Sequence, residues 1–221
     1  MLVPVWSAKA GVGCTTLSLA LAARVARLDG RCLLIDLDGD LPAAAGIAEP
    51  MVGVTDWLAS SSGSPEALER LATRVSDVGV ELVGIGSSHK WERSRADDLI
   101  DALSSTQTFV VVDVGCVDSV RTPIEPIRRK LAALPTSVFV TRACYLALHR
   151  AVQLDLSIGR VALIRENGRS LDRLDVSRLL AASEVVDVDV HPAVARAIDS
   201  GSMVRRVPRL LNRQLADLVA P

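Results

Sequence analysis

The strongest constraint on this chain is a short stretch, Lys9-Ala10-Gly11-Val12-Gly13-Cys14-Thr15-Thr16, set between an apolar run from Leu2 to Ser7 and a long amphipathic segment from Thr15 to Leu28. Two closely spaced glycines let successive backbone N–H groups turn to one side, and a helix start adds a favourable field for negative charge. Strand, glycine turn and helix in that order form a cradle for phosphate oxygens, with Thr15 where a hydroxyl can reach Mg²⁺. The same residues also allow a plainer reading, a turn that only joins strand to helix.

Around this stretch, short apolar runs alternate with longer amphipathic ones, the pattern of βαβ units in a mainly parallel sheet. The expected strands are Leu2 to Ser7, Cys32 to Leu37, Val80 to Ile85, Thr108 to Asp113, Ser137 to Thr141, Arg160 to Ile164 and Val185 to Val190. Several are continuous β-branched runs, as strands buried on both faces require. Helices are expected over Thr15 to Leu28, Pro65 to Val75, Arg93 to Ser104, Pro126 to Leu134, Tyr145 to Leu156, Val176 to Ala182, Pro192 to Asp199 and Pro208 to Val219. Prolines at the first helical turn and Gly30 and Gly201 after helix ends support these limits.

At 221 residues, with no linker or repeat, the chain suits one α/β domain over 1–221. A formal net charge of -1 argues against binding nucleic acid through bulk charge, although a local arginine patch leaves non-specific DNA open. Lysine occurs only at 9, 90 and 130, which makes Lys9 conspicuous inside the glycine turn. The cysteines at 14, 32, 116 and 144 form no CxxC pair, and no apolar run reaches the roughly 18 residues of a membrane span. A reducing cytoplasm is the expected setting.

Two further strands end in carboxylates. Leu33-Leu34-Ile35 runs into Asp36-Leu37-Asp38-Gly39-Asp40, and Val110-Val111-Val112 runs into Asp113-Val114-Gly115. Buried strands do not carry such charge without a cation or solvent to satisfy it, unless the groups only cap the strand ends. Cys14, at a helix start, is expected to have a lowered pKa, and Cys116 could lie near it across the same cleft. His89, His149 and His191 share no ligand spacing, so no His-based metal site is expected. Trp57 and Trp91 read as core or surface aromatics.

The loop resembles the deviant Walker A motif, K-G-G-x-G-K-T-T, of the ParA/MinD ATPases, with Lys9 at the signature lysine that reaches a partner's nucleotide across a dimer. Ala10 replaces a glycine, and Cys14 replaces the lysine that normally contacts the β- and γ-phosphates. The likeness extends through Val138-Phe139-Val140-Thr141-Arg142 to His191-Pro192 and Gly201. It implies a P-loop NTPase-type three-layer α/β/α fold with about seven strands. It also implies that ATP and Mg²⁺ are held by the backbone of Ala10 to Thr16, by Thr15, Asp36 and Asp113, and by Gly115 opening the second switch. Asp38 would orient the attacking water.

The family's base-reading asparagine would follow Ile164, where Arg165 and Glu166 precede Asn167 instead. Losing the lysine removes charge stabilisation that phosphoryl transfer depends on. The expectation is therefore a positioning protein with a weak or silent ATPase, acting through dimerisation and a protein partner. Trp6-Ser7-Ala8-Lys9 and Asp38-Gly39-Asp40-Leu41-Pro42-Ala43 resemble the TadZ/CpaE-like branch, which implies Tad pilus assembly. The competing expectation is an active ATP-switched ATPase for partitioning or division-site placement. The basic C-terminal segment, with Leu211, Leu215 and Leu218 on one stripe, reads either as a peripheral membrane helix or as a last helix packed on the sheet.

Overall fold

A computed structural model describes residues 1–61, 63–75, 78–92, 94–117, 122–189 and 191–219. The strands are β1 (Leu2–Ser7), β2 (Cys32–Asp36), β3 (Thr73–Val75), β4 (Val80–Val83), β5 (Val110–Cys116), β6 (Val138–Arg142), β7 (Arg160–Arg165) and β8 (Glu184–Asp189). They join in one sheet of order β3-β4-β2-β5-β1-β6-β7-β8. Every pairing is parallel except that of β3 with β4. The helices are α1 (Cys14–Asp29), α2 (Leu41–Ala45), α3 (Val54–Ala59), α4 (Pro65–Glu69), α5 (Arg95–Ser105), α6 (Glu125–Ala132), α7 (Tyr145–Gln153), α8 (Arg173–Leu180), α9 (Pro192–Asp199), α10 (Met203–Leu210) and α11 (Asn212–Asp217).

Side chains alternate between two cores. Leu33, Ile35, Val110, Val112 and Trp6 face one side, while Cys32, Leu34, Val3, Val5 and Val111 face the other. With both faces covered, each strand is apolar throughout, which is why the sequence showed runs and no alternation. Trp6 is fully buried, its indole Nε1 donating to Ser137 Oγ at 3.3 Å, with its ring centroid 4.6 Å from that of Phe139. This anchors β1, and with it the loop that follows.

The sheet has eight strands where about seven were expected. The extra one, β3, occupies the tail of the expected Pro65-to-Val75 helix, which stops at Glu69. Val75 is buried while Thr73 and Arg74 are exposed, and two of the three residues are β-branched, which favours an edge strand. Two short helices, α2 and α3, were not anticipated, being shorter than a hydrophobic period can reveal. Trp57 proves to be a core residue, with Arg95 stacked 4.9 Å from its ring centroid. Val190 and Arg93, limits of an expected strand and helix, lie outside the described residues.

The C-terminal segment forms α10 and α11 in place of one helix over Pro208 to Val219. Val204, Val207, Leu211, Leu215 and Leu218 are buried, in one core with Leu17 and Leu21 of α1. The stripe considered for a membrane surface is thus turned into the protein. Pro208 lies inside α10 and has no N–H for the carbonyl of Val204. Arg27 Nη2 supplies donors there instead, 3.5 Å from Val204 O and 2.7 Å from Arg205 O. Among the described residues no helix is long and apolar enough to cross a membrane.

Candidate phosphate-binding site

The carboxyl ends of β1, β2, β5 and β6 meet at one edge of the sheet, where ligands of open parallel sheets bind. Here β1 hands over to the glycine loop. Gly11 and Gly13 hold φ of 75° and 107°, conformations that other residues resist, and a Cβ at either position would meet no atom within 4 Å. The loop therefore faces open space, a cavity of about 340 Å³ bounded by Ala10, Gly11, Gly13, Thr15, Thr16, Asp38, Asp40, Cys116 and Arg142, with Ser7 and Cys14 completing the wall. An apolar cavity of about 300 Å³ adjoins it, lined by Val12, Thr16, Leu17, Ile164, Val188, Pro192 and Ile198 among others.

Cys14 points inward. Its Sγ lies 3.2 Å from the carbonyl oxygen of Val5 and 3.3 Å from Asp113 Oδ1, beneath the loop. Burial and the neighbouring Asp113 push the thiol well above its ordinary pKa. The expected lowering at a helix start is reversed, because desolvation of a thiolate outweighs the field of the helix. The thiolate, the reactive form of a thiol, is disfavoured there.

Asp113 is fully buried on β5. Its Oδ1 accepts from Ser18 Oγ at 3.2 Å, whereas its Oδ2 has no hydrogen-bond partner among the described residues. Burial, and then the facing Asp36, push its carboxyl up to about 7. Asp36 Oδ1 accepts from the N–H groups of Asp38 at 3.0 Å and Gly39 at 2.8 Å, and its Oδ2 accepts from Leu41 at 3.2 Å. Asp36 thereby folds the loop after β2, and burial raises it to about 6.

An arginine of α6 ties that loop to the one after β5. Arg128 Nη2 donates to Leu37 O at 2.6 Å and to Asp38 Oδ1 at 2.8 Å, and Nη1 donates to Cys116 O at 3.3 Å. Burial raises the Asp38 carboxyl despite the opposing pull of Arg128. Arg128→Met should destabilise the protein by about 2 kcal/mol, because two carbonyls lose their donor and a half-buried carboxylate loses its cation. Urea denaturation measures this, and a change below about 0.5 kcal/mol would mean that the tie bears no weight.

No protein-family model and no curated protein matches the chain. Solved structures do. The cell division ATPase MinD of Pyrococcus furiosus superposes with a TM-score of 0.72 at 18% identity, covering 99% of this chain and 97% of that one. A ParA family ATPase from Chlorobium tepidum TLS gives 0.67 at 18%, covering 99% and 96%. The septum site-determining protein MinD of Pyrococcus horikoshii OT3, complexed with Mg-ADP, gives 0.67 at 16%, covering 96% and 98%. The fold is that of the MinD and ParA ATPases.

Against the MinD/ParA pattern, Ala10, Gly11, Gly13, Cys14, Thr15, Thr16 and Asp38 are brought together around one cavity, and Val12 lines the apolar one beside it. Asp36 and Asp113 lie behind, both at 0% exposure. Lys9 stands at the rim, its Nζ 3.4 Å from Ala10 O, with no ion pair among the described residues. Gly115 packs directly under Asp38. Asn167 falls outside the apolar cavity, in a neighbouring one with Arg165, Glu166 and Arg169. The histidines stay apart. His191 Nδ1 accepts from the N–H of Ala193 at the start of α9, and His149 stacks on Tyr145. Among the described residues no cluster of three or more His, Cys, Asp or Glu could hold a metal alone.

The sequence reading missed Arg128 and Arg142. Arg142 closes β6 at the edge where ligands bind, and that position was the available signal. Arg128 gave none, being a helix residue 90 positions from Asp38.

Proposed function

We propose that this chain is a MinD/ParA-like positioning protein that binds an adenine nucleotide with Mg²⁺, turns it over slowly or not at all, and acts as a dimer on a protein partner. The observation that carries this reading is the orientation of Cys14. The substitution that removes the phosphate-contacting lysine faces Val5 and Asp113, so the glycine cradle keeps its open form while losing a charge. Binding needs the cradle, whereas hydrolysis needs the charge.

The residues present fit Mg²⁺. The unpartnered Asp113 Oδ2 and the Thr15 hydroxyl on the cavity wall supply protein oxygens, and Mg²⁺ takes its remaining ligands from phosphate and water. When bound, the ion would neutralise phosphate charge. Asp36 shapes the loop, and Asp38, on the cavity wall with its Oδ1 held by Arg128, would orient the attacking water. The MinD of Pyrococcus horikoshii was solved with Mg-ADP, and a MinC:MinD complex of Aquifex aeolicus contains a chain of this fold, which supports both the ligand class and the kind of partner. Lys9, half-buried at the loop and without an ion pair among the described residues, suits a reach across a dimer. The likeness to the TadZ/CpaE branch makes Tad pilus machinery the proposed cargo.

Calorimetry with ATP, with and without Mg²⁺, and phosphate release on the same sample test the reading. Expected are saturable heat and turnover at least 100-fold below that of a Cys14→Lys variant. No heat at millimolar ATP sinks nucleotide binding. Turnover that Cys14→Lys does not improve would favour an active switch. Unaltered Tad pili in a deletion strain would remove the pilus assignment.

A further inference from the structure

We infer that Arg142 supplies the phosphate-site charge that Cys14 does not, and that it does so at the phosphate nearest the base, so that the site takes nucleoside di- and triphosphates alike. This rests on the nucleotide-binding reading above and concerns which residue holds the ligand.

Among the described residues that bound the phosphate cavity, Arg142 is the sole cation, in a wall that also includes Asp38 and Asp40. It also lines the apolar cavity, so its guanidinium sits at the junction of the two. A nucleotide whose base fills the apolar cavity and whose phosphates fill the glycine cradle must pass this junction. The proximal phosphate is the one that lies there, common to ADP and ATP. The position vacated by lysine would by contrast serve the distal phosphates.

The side chain is held in place for this. Nη2 donates to Gly11 O at 3.0 Å, which ties the guanidinium to the glycine loop. Nη1 donates to Glu166 Oε1 at 2.5 Å. Glu166 is shared with Arg169, whose Nε lies 2.8 Å from Oε2, so one carboxylate serves two guanidinium groups and the trio keeps a net positive charge. Arg142 Nε is buried without a partner among the described residues. A planar guanidinium with donors to spare is suited to a phosphate oxygen.

The test is titration of ADP and of ATP, each with Mg²⁺, into wild type, Arg142→Gln and Arg142→Lys, with thermal unfolding of the ligand-free proteins alongside. Gln keeps a donor for Gly11 O but no charge. It should weaken ADP and ATP equally, by about tenfold or more, and Lys should recover most of the loss. Equal affinity of wild type and Arg142→Gln overturns the inference while leaving nucleotide binding intact. A loss confined to ATP overturns the placement at the proximal phosphate. No binding by wild type overturns the underlying reading, and this inference with it. Should Arg142→Gln fail to fold, Glu166→Gln carries the test: removing the neutralising carboxylate should tighten both nucleotides several-fold, and unchanged or weaker binding overturns the inference.

Discussion

Gly115→Ala should destabilise the protein by about 3 kcal/mol or more in urea denaturation, while Gly39→Ala should cost about 1 kcal/mol. Both glycines have positive φ, 73° and 93°, so each substitution carries a similar backbone penalty. They differ in what a Cβ would meet. At Gly39 there is nothing within 4 Å, whereas at Gly115 the new atom would overlap Cγ and Oδ1 of Asp38. Asp38 cannot swing aside cheaply, because Arg128 holds its carboxylate and the carbonyl of Leu37 together. The difference between the two variants isolates the contact between the loops, and equal losses would show that the overlap is relieved without disturbing the tie. A combined Gly115→Ala, Asp38→Gly variant should recover most of the contact portion.

The second large effect is a dependence on pH. Asp113 and Asp36 titrate near 7 and 6 when folded, against about 4 for an unfolded aspartate. The native state thus holds these protons more tightly. Their contribution to stability is complete below about pH 4 and is lost as pH rises through 6 and 7. The ligand-free protein should accordingly become less stable between pH 5 and pH 8. For Asp113 the displacement corresponds to at most about 4 kcal/mol, which relaxation around the ionised group reduces to about 2 kcal/mol. Asp113→Asn should flatten most of this slope in denaturation series at several pH values, and it should abolish the Mg²⁺ dependence of nucleotide binding. A slope that persists in Asp113→Asn would assign the protons elsewhere. Mg²⁺ with nucleotide should stabilise the wild type most at the alkaline end, where both carboxylates are ionised.

The parts of the fold legible in the sequence are those written in neighbouring residues. The helix Pro192–Asp199 has the limits that its leading proline and following Ser200-Gly201 suggest, and β1 with its glycine loop is set by local conformation. β3 was hidden because a short edge strand shows too little alternation to stand apart from a helix tail. The helix break at Leu211 was hidden because Pro208 is accommodated by Arg27, an arginine of α1 about 180 residues earlier.

The site divides in the same way. Its loop and strand-end carboxylates follow from spacing along the chain. Its cations do not, since Arg142 meets Gly11 across 131 positions and Arg128 meets Asp38 across 90. For Cys14 the identity is written in the sequence but the direction of the side chain is not. That direction decides between a lowered and a raised pKa, and between a blocked and an open cradle.

The anchorage by Arg128 has a kinetic consequence. Two segments that leave different strands share a single guanidinium, so detachment of one weakens the hold on the other. Their amide protons should exchange with solvent in one correlated opening, with the N–H groups of Asp38, Gly39 and Val117 reporting the same event. Whatever displaces one segment from Arg128 therefore loosens the other.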